Sequence, residues 1–156
     1  MSQWTWDGVS FTRVGKIELI ADDLYPEVRY AKRDVTKLLP NGEGPYCTFL
    51  VAGLPSVSGV YACFVRGDLR YIGKAEDLKR RFYQYGHISP RNCYVGGRAT
   101  NIRLNKLVRD VVRAGDDVEI FIHATANFSA IEERMIAALQ PPWNLRGVRL
   151  GRSVPR

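Results

Sequence analysis

Apolar and polar positions are patterned most clearly in two neighbouring runs. Residues 60–65 form an apolar, β-prone stretch, and residues 69–73 form a second. Arg66-Gly67-Asp68 between them carries a turn signal, so the pair predicts a β-hairpin. Strand side chains alternate faces with a period of two. With a three-residue loop, Val65 pairs with Leu69, Cys63 faces Tyr71, and Tyr61 faces Gly73. Tyr61 and Tyr71 then share one face of the sheet, and Gly73 leaves space opposite Tyr61.

Helical spacing follows. Leu78, Phe82 and Tyr85 predict a helix over residues 76–85, with Gly86 as its C-cap. Leu104, Leu107, Val108 and Val111 stripe a longer helix over residues 101–114. Residues 118–123 predict the third strand of the sheet, with His123 as a core or edge histidine at its end. A last helix over residues 130–139 stops at Pro141-Pro142, with Asn127 or Ser129 as its cap. Ahead of the main hairpin, Asp7-Gly8 marks a smaller one. Residues 16–20 and 46–51 predict strands, and residues 30–39 predict a helix ending at Pro40. The expected fold class is α+β: a small antiparallel three-stranded sheet flanked by helices, with an N-terminal extension. Residues 1–56 form the extension packed on the core, 57–145 the principal domain, and 146–156 a basic tail.

Length and composition fit one globular domain with a proper core. No apolar run approaches the length that spans a bilayer, and the first residues show no secretory pattern. Cys47, Cys63 and Cys93 are isolated, with no CxxC pair and no ligand cluster with His87 or His123. A zinc site is therefore not expected, and a reducing cytoplasm is the simplest compartment. The formal net charge of +7, with arginine outnumbering lysine, suits a polyanionic partner.

Particular residues sharpen that picture. The first strand opens with Gly59-Val60-Tyr61 and the second contains Tyr71-Ile72-Gly73-Lys74. Arg81 and Tyr85 follow, then Glu132-Glu133-Arg134-Met135-Ile136, then Pro141-Pro142-Trp143-Asn144. In this order and spacing, from about Ser58 to Asn144, the chain resembles the GIY-YIG nuclease family, with valine for isoleucine in the first triplet. The resemblance implies a metal-dependent DNA endonuclease that hydrolyses phosphodiester bonds. It implies that Tyr61 positions or deprotonates the attacking water, with Tyr71 near the phosphate. It places Lys74 beside a tyrosine or in proton transfer, Arg81 on the scissile phosphate, and Tyr85 in support. Glu132 is the implied ligand of Mg2+ (or Mn2+), and Asn144 the residue that fixes the loop after the last helix.

Each residue also has a plainer reading. Ser129-Ala130-Ile131-Glu132 matches a capping box, in which Glu132 serves the helix and no metal. Tyrosines with ordinary pKa values near 10 are no bases unaided, and two strand tyrosines are common core residues. Arg91 and Arg98 in the Gly-rich loop, Arg103 and Lys106 on the longer helix, and Arg146 in the tail are candidate DNA contacts; a solvated surface explains them as well. One module with a modest extension favours a stand-alone restriction or defence nuclease on duplex DNA, and one site per chain favours a homodimer. The alternatives are a nucleic-acid-binding subunit without hydrolysis, or a nuclease for single strands or RNA.

Overall fold

The computed structural model describes residues 2–26 and 37–145. In chain order the strands are β1 (Gln3–Trp6), β2 (Val9–Lys16), β3 (Glu18–Leu24), β4 (Tyr46–Leu50), β5 (Gly59–Val65) and β6 (Asp68–Ala75). Helix α1 (Leu78–Gly86), a short 3₁₀ turn (Pro90–Cys93), α2 (Ala99–Arg113), β7 (Val118–Ala124) and α3 (Phe128–Leu139) follow among the described residues. Two compact units divide it: Met1–Ile17, Val51–Arg81 and Asp116–Arg156 form one, and Glu18–Leu50 and Phe82–Gly115 form the other.

The first unit holds an antiparallel five-stranded sheet in the order β1-β2-β7-β5-β6. The three strands expected from the sequence lie side by side as β7-β5-β6, and the Asp7-Gly8 hairpin extends the sheet to five. Asp7 and Gly8 both take positive φ, as does the Arg66-Gly67 pair between β5 and β6. That geometry matches the right-handed twist of the flanking strands. The turn is thus two residues long, and Val65 pairs with Asp68 where Leu69 was expected. A register shift between Cys63 and Phe64 leaves Arg70 as the extra residue. Beyond it the expected pairs Cys63–Tyr71 and Tyr61–Gly73 are in place.

Every residue of β5 is buried, as a central strand covered on both faces requires. Val60, Ala62 and Phe64 from β5, Ile72 from β6, Phe121 from β7 and Phe11 from β2 pack against Ile131, Met135 and Ile136 of α3. Trp4, Trp6 and Val9 of the first hairpin close over this cluster. Each large apolar side chain so buried contributes about 1.5–3 kcal/mol. His123 lies near the end of the central strand β7, paired with Val60, and its Nδ1 is 2.9 Å from the Ser10 carbonyl.

The second unit pairs β3 with β4. The strand expected over residues 16–20 is split there, since Lys16 ends β2 and Glu18 begins β3. Asn105 of α2, fully buried, serves β4 as a substitute strand. It accepts from the Cys47 N–H at 3.0 Å and donates to the Cys47 carbonyl at 2.8 Å. Asp22 of β3 meets Arg109 and Arg113, one turn apart on α2. The helix expected over residues 30–39 lies mostly outside the described residues, and at its end Leu38 bridges Tyr94 in β fashion. Gly86 is the last residue of α1, and its missing side chain admits the Phe49 carbonyl: a Cβ there would lie 2.2 Å from that oxygen.

Candidate active site

Gly73 is the point about which the sheet side of the site is arranged. A Cβ on Gly73 would lie 2.3 Å from both Cζ and the hydroxyl of Tyr61. The space expected opposite Tyr61 is therefore filled by the Tyr61 ring itself, which reaches across from β5. Tyr71 lies beside it with ring centroids 6.1 Å apart and planes at 31°. Both tyrosines are buried, Tyr61 at 1% exposure and Tyr71 at 9%. Alternation along β6 gives Lys74 to the opposite face, the one that also carries Ile72 and α3.

Lys74 is the next residue in the strand, and its ammonium is 3.9 Å from the Glu132 carboxylate. Glu132 is the better covered of the two, with 18% of its side chain exposed against 43% for Lys74. The capping-box reading of Glu132 does not hold. Asn127 occupies the N-cap position and α3 begins at Phe128, so Ser129 is inside the helix. Ser129 Oγ instead accepts a hydrogen bond from Lys74 Nζ at 3.2 Å. This contact was invisible in the sequence, where Ser129 read as a cap.

Beyond β6 the sheet ends, and an edge strand leaves backbone groups to be satisfied. Asn144 does this for Ile72, accepting from its N–H at 2.9 Å and donating to its carbonyl at 2.8 Å. The Trp143 N–H adds a bond to the Arg70 carbonyl at 2.8 Å. The segment after α3 thus covers the open edge of β6 at Arg70 and Ile72, with buried Asn144 at its centre.

Arg81 sits half-buried on the first turn of α1, after Asp77, whose carboxylate caps the Arg80 N–H at 3.0 Å. Tyr85 belongs to the second unit, buried at 1% exposure against Phe82. Its carbonyl accepts from Asn105 at 2.8 Å, an anchoring role that the sequence did not reveal. Among the candidate DNA contacts, Arg91 and Arg98 are exposed, and Arg103 is half-buried. Lys106 is engaged with Glu43 at 3.3 Å and the Gly44 carbonyl at 3.1 Å. Arg146 lies outside the described residues.

Among the described residues no three His, Cys, Asp or Glu side chains gather to hold a metal. A lone, partly exposed carboxylate at Glu132 still fits a hard divalent cation, which takes oxygen ligands and keeps several waters. The three cysteines do not compete for this role. All are buried, and burial pushes the Cys47 and Cys63 thiols up to about 12, far from thiolate formation.

No family model matches the sequence. Over 93 residues the chain is 31% identical to UvrABC system protein C of Campylobacter jejuni, covering 59% of this chain and 15% of that protein. The same figures hold for UvrABC system protein C of other strains of the species. The chain thus spans about 15% of the length of the curated relatives it matches. In fold it resembles a glutamate-to-alanine mutant of bacteriophage T4 EndoII, with a TM-score of 0.51 and 18% identity. That likeness covers 70% of this chain and 86% of the other. Both triplets stand on adjacent strands of the shared fold, in the register that brings Tyr61 over Gly73.

These likenesses support a GIY-YIG nuclease domain in this chain.

A GIY-YIG domain gives the local geometry a common explanation. The two triplets of the GIY-YIG domain are one structural unit, because Gly73 ends the second triplet where Tyr61, ending the first, must pass. Lys74 and Glu132 meet at the next residue of the same strand. Among the described residues, no helix is long and apolar enough to cross a membrane.

Proposed function

We propose that this GIY-YIG domain hydrolyses phosphodiester bonds of DNA with a divalent cation, Mg2+ or Mn2+, held by Glu132. The observation that carries this reading is the meeting of Glu132 with Lys74, the residue after Gly73, on the face of β6 opposite that of Tyr61 and Tyr71. Hydrolysis needs a directed water, charge stabilisation on the phosphoryl oxygens and help for the leaving oxygen. In this reading Tyr61 either positions the attacking water or, ionised to the phenolate, takes its proton, with Tyr71 beside the phosphate. Arg81 binds the scissile phosphate, and its fixed charge offsets the growing negative charge. The bound cation supplies Lewis acidity at the phosphoryl oxygens. Asn144 holds β6 in place, and Tyr85 acts in support. Arg91, Arg98, Arg103, Lys106 and Arg146 are proposed as contacts to the DNA backbone.

The proposal extends to duplex DNA as substrate, a homodimer on DNA, a cytoplasmic location and a restriction or defence role. It treats residues 57–145 as the nuclease domain and residues 1–56 as an extension. The test is digestion of supercoiled plasmid, linear duplex, single-stranded DNA and RNA, with Mg2+, Mn2+ or a chelator. Cleavage of duplex that requires the cation is expected, and Glu132→Ala should lower the rate by roughly 100-fold or more. A Glu132→Ala protein that cuts at the wild-type rate would refute the assignment. Binding without cleavage of any substrate would make the chain a binding subunit.

A further inference from the structure

Lys74 is held at two points on α3. Its Nζ is 3.9 Å from Glu132 Oε1 and donates to Ser129 Oγ at 3.2 Å. Ser129 and Glu132 are three residues apart, hence neighbours on the surface of the helix. An ammonium has three donors, so it can serve a carboxylate and a hydroxyl together or shift its weight between them. A second cation on the same carboxylate would be repelled by an ammonium at this range, in proportion to both charges.

We propose that Lys74 is the resident counter-ion of Glu132 in the metal-free protein, and that Ser129 is the seat to which its ammonium withdraws when Glu132 takes a divalent cation. This rests on the reading of Glu132 as the cation ligand. The carboxylate then has a cationic partner in both states, and Lys74 stays next to Gly73 throughout. Ser129 acts only through Lys74, so it is a positioning residue. Removing Lys74 removes the ammonium's repulsion of a cation at Glu132. Removing the Ser129 hydroxyl takes away the hydrogen bond that holds the ammonium off the carboxylate and commits it more fully to Glu132.

The experiment is an Mn2+ titration of the full chain, followed by the electron paramagnetic resonance signal of free Mn2+, in the absence of DNA. Glu132→Ala should lose the site; if it binds Mn2+ as wild type does, the reading of Glu132 fails and this proposal with it. If Glu132→Ala does lose the site, the remaining variants test the counter-ion alone. Lys74→Met should then bind Mn2+ roughly five-fold more tightly, from the loss of a like charge. Unchanged or weaker binding by Lys74→Met overturns the counter-ion role while leaving the Glu132 assignment standing. Ser129→Ala should bind about two-fold more weakly at an unchanged melting temperature, and Ser129→Thr, which keeps the hydroxyl, should restore wild-type affinity. Equal or tighter binding by Ser129→Ala, or failure of the threonine to rescue, overturns the seat.

Discussion

A methyl group added to Gly73 would sit 2.3 Å from the Tyr61 ring and hydroxyl, and Tyr61 is only 1% exposed. Neither partner has room to yield, so Gly73→Ala should cost about 1–3 kcal/mol through overpacking and also displace the hydroxyl. Tyr61→Phe separates the two effects, because it removes one oxygen and keeps the ring in place. It should stay within about 1.5 kcal/mol of wild-type stability. Its cleavage rate should nonetheless fall by about 100-fold or more if the hydroxyl handles the water. Melting curves and single-turnover digests of both variants check this, and a phenylalanine variant that cuts normally would remove Tyr61 from the chemistry. The two buried asparagines work differently. Asn144 on Ile72 and Asn105 on Cys47 each bond both the N–H and the carbonyl of one strand residue. Each therefore replaces a missing strand with a single side chain. Asn144 was read from the resemblance and Asn105 was not, because a polar residue inside an apolar helical stripe gives no sign of what it will meet.

Between elements, the firmest polar tie described is that of β3 to α2. Asp22 accepts from both Arg109 and Arg113, and Asp23 from Arg109 at 2.7 Å. Partial desolvation pushes the Asp22 carboxyl up, but the two guanidiniums outweigh it and hold the group at about 2, against an ordinary 3.8. A carboxylate whose folded pKa is depressed stabilises the fold above its unfolded pKa. Its contribution is complete above the ordinary 3.8 and is lost as pH falls toward 2. Asp22→Asn should therefore be less stable than wild type at pH 7, with the gap narrowing steadily below about pH 4. Denaturant melts of both proteins over that range check it; a gap independent of pH would mean that Asp22 acts by shape alone. The hairpin β5-β6 was legible because two apolar runs flank a turn signal, and a two-residue period fixes which side chains share a face. The two-residue turn was not, since the bulge at Arg70 absorbs the odd residue and restores the predicted pairs. Nor was the place of the first hairpin. Its pairing with β7 joins Thr12 to Ile122, and no local pattern encodes a partner so far along the chain. Once there, it is held by its ladder to β7 and by Phe11 buried in the α3 cluster, with Trp4 and Trp6 packed against it. The Arg134–Asp7 ion pair, with side chains 55% and 68% exposed, adds less than about 1 kcal/mol. For the candidate site, Tyr61, Lys74 and Glu132 are named by the resemblance, while the Ser129 contact depends on where α3 begins.

At the scale of the whole molecule, a net charge of +7 sets a field that attracts polyanions. Many of the positive groups already have carboxylate partners, including Arg109, Arg113, Lys106, Arg66 and Arg134. The field available to DNA is thus smaller than the count of basic residues implies, and position decides which of them matter. Arg91 and Arg98 are exposed, whereas Lys106 has 22% of its side chain exposed and is bonded to Glu43 and to a carbonyl. Binding of duplex DNA, measured in the Glu132→Ala background so that no cleavage intervenes, should weaken steeply with salt. Each phosphate contact contributes a slope of about −0.9 in log affinity against log salt. Arg91→Ala and Arg98→Ala should each lower that slope by about one, uniformly across sequences. Lys106→Ala should change it little, because moving an ammonium from Glu43 to a phosphate exchanges one anion for another and releases little net charge. A Lys106→Ala slope as reduced as that of Arg91→Ala would instead place the DNA along α2 and not along the loop that carries Arg91 and Arg98.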